Sequence, residues 1–137
     1  MSDIIVHIIT EDSDPMVDVL CELAETNFDP TLQCSPGFKW PRRGTFTKNF
    51  GSGGKLFYST DEDDNPLGFA IVSPEGRVAW LALWGDTASE VVRIMGQAIK
   101  DKVAPPGGKV RSGGARQIIL DSTIFEDAAG QEMRWLE

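Results

Sequence analysis

Hydrophobic positions along this chain change period several times, and each change marks an element. Residues 4–10 form a short β-branched apolar run that ends at Glu11 and Asp12, the pattern of a strand covered on both faces inside a sheet. Asp14 and Pro15 then supply an N-cap and the proline favoured at the first helical position. Met16, Val17, Leu20, Leu23 and Ala24 recur at helical spacing, which predicts a helix over 15–26. Residues 28–54 show no sustained period, hold Pro30, Pro36 and Pro41, and read as a long irregular connection with room for one helical turn. Three strand-like runs follow at 55–60, 67–73 and 77–84, separated by an Asp-rich turn and by Pro74, Glu75 and Gly76. They read as an antiparallel meander. Its last strand is apolar enough, through Val78, Trp80 and Leu81, to lie centrally with both faces covered.

Thr87 and Glu90 match a capping box, in which the Thr hydroxyl bonds the Glu backbone amide and the Glu carboxylate reaches back. The helix they open carries an apolar stripe of Ala88, Val91, Val92, Met95, Ile99 and Val103, with Arg93, Gln97, Lys100 and Asp101 facing water. Residues 104–116 are a Gly/Pro-rich loop containing Lys109, Arg111 and Arg116. They lack the phosphate-loop spacing and precede a strand rather than a helix, so a surface connection is expected. Residues 117–124 form the last clear strand, leaving 125–137 for a short helix or an edge segment. The sum is one α+β domain over 1–137, with a central, mostly antiparallel mixed sheet, helices packed on it, and the order β-α-loop-β-β-β-α-β.

Composition supports a folded unit: 137 residues with 41% hydrophobic content suffice for one continuous core. Charge changes the picture further. The formal net charge is -8, and no Lys or Arg precedes Lys39, so the N-terminal segment is acidic throughout. Such a field argues against nucleic acid and anionic membrane as partners, since phosphate binding depends on Lys and Arg displacing counterions. Opposite in sign is a basic and aromatic cluster, Lys39, Arg42, Arg43 and Lys48 with Trp40 among them. It reads either as a solvated loop with one anchoring Trp or as a grip on an acidic surface, including the Asp-rich segment of a neighbouring copy.

The chemistry-bearing residues are few. Cys21 and Cys34 have no metal-type spacing and are expected as free thiols in a reducing compartment. His7, the single histidine, lies in an apolar run and reads as a satisfied core side chain rather than a catalytic one. Asp61, Glu62, Asp63 and Asp64 lack the alternating ligands of a calcium loop and read as a solvated turn, so no metal is expected. With no leader and no membrane-length apolar run, a cytoplasmic location is expected, with incorporation in a virion as a further possibility.

Strand, helix, irregular connection, three-strand meander, helix and strand is an order that resembles the GNAT acetyltransferase superfamily over residues 4–124. That resemblance implies acyl-CoA bound where the central strand parts from its neighbour, with the pyrophosphate on the N-terminus of the following helix. The corresponding residues here are Trp84, Gly85, Asp86, Thr87, Ala88 and Ser89. The family motif at this joint is an Arg or Gln, two residues, then Gly-x-Gly or Gly-x-Ala, whereas this joint has one glycine, no basic residue and an aspartate. A pyrophosphate there would meet Asp86 and Glu90 as like charge. The late tyrosine that family members use as an acid also has no counterpart, because the single tyrosine is Tyr58. The resemblance further implies a closing helix and two-strand hairpin, which residues 125–137 are too few to supply in full. An open sheet edge, completed by another copy or a different partner, follows as an expectation.

Three functions are consistent with these features. The first is a non-catalytic GNAT-like structural or accessory protein that works through protein contacts in a larger assembly, as a homo-oligomer or with another protein, and needs no cofactor. The second is an N-acyltransferase using acetyl-CoA on an amine. Its base would be Glu75 or Asp86, or a water near them, and Trp84, Gly85, Thr87, Ala88 and Ser89 would lie against the cofactor. The third is a small inhibitor or regulator whose acidic face, including Asp61 to Asp64, mimics a phosphate-rich ligand.

Overall fold

The structure, a computed structural model, describes residues 3–33, 39–85, 87–102, 109–111, 125–127 and 132–135. Its elements are β1 (Ile5–Ile9), α1 (Pro15–Thr26), a 3-10 turn (Pro30–Leu32), α2 (Arg43–Gly51), β2 (Lys55–Thr60), β3 (Pro66–Val72), β4 (Val78–Leu83), α3 (Ala88–Lys102), β5 (Lys109–Arg111), β6 (Phe125–Asp127) and β7 (Glu132–Trp135). Among the described residues the strands make one seven-stranded mixed sheet in the order β1-β2-β3-β4-β5-β7-β6. Every pairing is antiparallel except β4 with β5, which is parallel at Val78 and Val110. The class is α+β, as expected.

Side-chain alternation on the meander divides the core in two. Phe57, Ala70, Val72, Leu81 and Leu83 point to one face, where Val91, Val92, Met95 and Ile99 of α3 cover them. Leu56, Phe69, Ile71 and Ala82 point to the other, against Val17, Leu20 and Ala24 of α1 and Phe46 of α2. A strand with helices on both sides has to be apolar in consecutive positions, which is why β3 and β4 read as unbroken runs. Local signals agree with the packing. The Asp14 carboxylate accepts from the Met16 amide at 2.9 Å, and at the other end of α1 the Asn27 amide donates to the Leu23 carbonyl. α3 opens on an ordinary backbone bond, the Thr87 carbonyl accepting from the Val91 amide at 2.9 Å, which is separate from the side-chain capping box expected there.

Four expectations need correction. The connection over 28–54 contains a nine-residue helix, α2, with Phe46 as its buried residue and no side-chain cap at Arg42. Nothing periodic announces it; its stability is tertiary, from contacts described below. The Gly/Pro-rich stretch over 104–116 contains β5, and residues 125–137 contain the antiparallel pair β6 and β7. Short strands of this kind follow from pairing rather than from their own apolar pattern. Finally, β1 lies at one edge of the sheet, not inside it. Its two faces are apolar because Ile4 and Val6 meet the α3 cluster while Ile9 meets α1, and facing says nothing about lateral position. The strand expected over 117–124 and residue Val103 lie outside the described residues.

Candidate functional site

The joint between β4 and α3 is where the GNAT resemblance would put a cofactor, and its residues have specific structural tasks. Trp84 donates its indole Nε1–H to the Pro66 carbonyl at 2.7 Å and sets its ring edge-on to Phe69, with centroids 6.1 Å apart. Gly85 follows at φ 90, a conformation that a side chain would strain. Ala88 is buried in the α3 core cluster, while Ser89 is exposed and Glu90 stands in the first turn of the helix. Asp86 lies outside the described residues.

The residue that defines this joint is Gln33, which is 3% exposed. Its side-chain amide donates to the Leu83 carbonyl at 2.8 Å, and its Oε1 accepts from the Leu83 amide at 3.3 Å. The next residue, Trp84, donates its amide to Leu67 on β3. Successive residues of a strand present their backbone groups to opposite neighbours, so Gln33 sits on the edge of β4 that faces away from β3. There it stands in for an adjacent strand and satisfies both buried backbone groups of Leu83. Nothing in the sequence signals this role: Gln33 is a single polar residue in a segment without periodicity.

The candidate base Glu75 is exposed in the turn that precedes β4, whereas Gly85 follows the strand. At about 3.3 Å per residue the six residues of β4 put roughly 20 Å between the two ends. Glu75 is instead brought together with Lys48 of α2 at a cavity of about 350 Å³, whose floor includes Ile71, Ala79 and Trp80. Half of its polar wall is engaged already. Asn49 donates to the Lys55 and Val72 carbonyls, Ser52 donates to the Lys48 carbonyl, and the Ser73 hydroxyl accepts from the Arg77 amide.

The basic and aromatic cluster is divided by the fold. Lys39, Trp40 and Arg42 line a second cavity of about 250 Å³. The Arg42 guanidinium lies 5.6 Å from the Trp40 ring centroid, and Phe28 meets that ring edge-on at 5.7 Å. Arg43 turns the other way, toward acidic residues of its own chain. It donates to the Asp12 carboxylate, to the Asp12 carbonyl at 2.9 Å and to the Asp18 carboxylate at 2.7 Å. The hydrogen bond to Asp12 is the first cause holding the guanidinium above its ordinary value. Arg43 therefore ties α2 to the loop before α1 and to α1 itself. Cys21 reinforces the same seam, its thiol donating to the Pro41 carbonyl at 3.7 Å, and burial pushes that thiol up.

Replacing Arg43 with alanine is expected to destabilise the fold by about 0.5–2 kcal/mol, because charge-assisted bonds to Asp12 are lost together at a site more than a third exposed to screening solvent. Asp18→Asn is expected to cost under about 0.5 kcal/mol, since that carboxylate is largely exposed. Urea unfolding of both variants, with an Arg43→Ala/Asp12→Asn cycle, measures the difference.

His7 and the Asp-rich turn have structural partners as well. His7 stacks on Tyr58 at 4.6 Å and shares a 2.9 Å hydrogen bond between Nε2 and Thr60 Oγ1. Asp61 accepts from the backbone amides of Asp63 and Asn65, and the Asn65 bonds come first among the causes that hold its carboxyl below the ordinary range. Among the described residues no helix is long and apolar enough to cross a membrane. Comparison with known proteins finds no matching family model, no matching curated protein and no matching solved structure.

Proposed function

We propose that the protein is a GNAT-like accessory or structural module that acts through its surfaces in a larger assembly, not through acyl transfer. The observation that carries this reading is the double hydrogen bond between Gln33 and Leu83. In the superfamily the chain resembles, acyl-CoA lies where the central strand parts from its neighbour. In this chain the backbone groups of β4 on that side, at Leu83, already have a protein partner. Glu90 in the first turn of α3 adds negative charge where a pyrophosphate would need the helix terminus. The mixed sheet, with β5 parallel to β4 and an antiparallel β6–β7 pair closing the chain, supports the GNAT-like part of the reading.

The surface-acting part is supported by the cavity at Lys39, Trp40 and Arg42. A flat aromatic ring with a guanidinium over it, beside a second cation, suits an acidic protein segment. Incubation with millimolar acetyl-CoA and a panel of primary amines is expected to release no free thiol beyond the amine-free control that contains the protein, whose own Cys21 and Cys34 contribute a constant signal. Sustained release that depends on both protein and amine would overturn the reading.

A further inference from the structure

At the β1 edge the sheet is open among the described residues, and its open side is built for pairing. The direction of each backbone group follows from the registers. Trp84 donates to Leu67, so the odd-numbered residues of β3 face β4. Gly68 and Ala70 then face Ser59 and Phe57, and the even-numbered residues of β2 face β1. Thr60, Tyr58 and Leu56 oppose Ile5, His7 and Ile9, which leaves the N–H and C=O of Val6 and Ile8 pointing away from the sheet.

Natural edge strands are usually blunted by Lys, Pro, a bulge or an inward-pointing charge, because a bare edge recruits other strands. The five residues Ile-Val-His-Ile-Ile of β1 include none of these side chains, and the strand pairs with β2 without a break from Ile5 to Ile9. Its apolar side chains add to the attraction. Ile5 and Ile8 are 45% and 39% exposed, two of the three large hydrophobic residues exposed among those described, and they flank the edge on opposite faces. Both ends of the strand are acidic: Asp3 precedes it, Glu11 follows it, and both are exposed.

We infer that β1 is a docking edge for an extended, basic-flanked segment of a partner protein, which adds to the sheet as a further strand. The incoming backbone pairs with Val6 and Ile8, its alternate side chains cover Ile5 and Ile8, and Lys or Arg at its ends meets Asp3 and Glu11. Charge favours this occupant over a second copy paired in the register that matches the whole strand. In an antiparallel self-pairing centred on His7, Asp3 would stand opposite the partner's Glu11, two like charges in register. No Lys or Arg before Lys39 relieves that repulsion.

The inference rests on the surface-acting reading and fails separately from it. Acyl transfer would remove that reading without touching the edge, and an edge that accepts no peptide would leave the acyl-CoA result unchanged. The probe is a short synthetic peptide, Lys-Val-Thr-Val-Thr-Val-Lys, compared with a twin carrying Glu at both ends, followed by calorimetry and amide hydrogen exchange of the full chain. The Lys-flanked peptide is expected to bind at least about tenfold more tightly than its twin and to slow exchange at Val6 and Ile8. Ile8→Pro removes an outward donor without removing a β1–β2 bond, and is expected to abolish binding. Should that variant unfold, Ile8→Lys, at an exposed side chain, is expected to weaken the Lys-flanked peptide at least about tenfold as well. Equal binding of both peptides, or unchanged exchange at Val6 and Ile8 under saturating peptide, would overturn the inference. So would a dimer in sedimentation whose free protein already protects those two amides, since that would make the occupant a second copy.

Discussion

Replacing Phe69 with alanine is expected to remove about 3–5 kcal/mol of stability, a large part of the roughly 5–15 kcal/mol typical of a domain. Phe69 is fully buried in the middle of β3 and faces the helices α1 and α2. Its ring lies 5.4 Å from that of Phe46 and 6.1 Å from that of Trp84. Truncation opens a void at the point where three elements meet, and β3 sits between two full strand partners that limit collapse into it. Phe46 is the buried residue of α2, so the same void loosens that helix. The double variant Phe46→Ala/Phe69→Ala is accordingly expected to cost less than the sum of the single variants. Urea unfolding at constant pH measures all three; a loss under about 1 kcal/mol for Phe69→Ala would contradict the packing described.

Gln33→Ala is expected to cost about 2–5 kcal/mol, because it leaves a buried donor and a buried acceptor of Leu83 unpaired, each worth about 1–3 kcal/mol. Gln33→Met restores volume without hydrogen bonds and is expected to recover only part of that loss. Gln33→Glu separates the two bonds. The introduced carboxylate still accepts from the Leu83 amide, but when ionised it confronts the Leu83 carbonyl at a site where glutamine is 3% exposed. Protonated, it donates to that carbonyl as the glutamine amide does. The folded state therefore raises the introduced carboxyl above its unfolded value of about 4.3. The stability gained from the protonated form is fully present below that unfolded value and is lost as pH rises through the folded one. Melting relative to wild type is expected to be closer at pH ~4 than at pH ~7. An equal deficit at both would show that the amide geometry at Leu83 is not what holds this segment.

The elements legible in the sequence are those whose local signals and tertiary contacts coincide. Asp14 and Pro15 start α1 where the cap forms, and Val17, Leu20 and Ala24 are its buried stripe. The meander and α3 are legible for the same reason, since continuous apolar strands and a helical stripe each describe one buried surface. α2 is not legible, because two of its nine residues are glycine and it is held from outside, by Arg43 on Asp12 and Asp18 and by Asn49 on Lys55 and Val72. All but Lys55 of those partners are distant in the chain. The lateral position of β1 is hidden for a related reason: face burial leaves a pattern in the sequence, edge position does not.

The site shows the same division. Trp84 and Gly85 mark the end of β4 in sequence as in structure, but Trp84 is spent on Pro66 and Phe69. The meeting of Lys48 and Glu75 at one cavity joins residues whose sequence contexts suggest unrelated roles. Arg43 does meet the acidic N-terminal segment, as its charge suggests, within its own chain. Gln33 is invisible in the sequence, since an amide that imitates a strand needs no motif.

If Gln33 on the outer edge of β4 leaves no room for acyl-CoA, acetyl-CoA cannot stabilise the fold, and thermal unfolding with and without millimolar acetyl-CoA measures this. A ligand bound by the native state alone raises stability as RT ln(1 + [L]/Kd), about 2.7 kcal/mol at a hundredfold excess over Kd. The account predicts superimposable unfolding curves. A rise of several degrees in Tm that grows with acetyl-CoA concentration would contradict it and make acyl transfer the leading function.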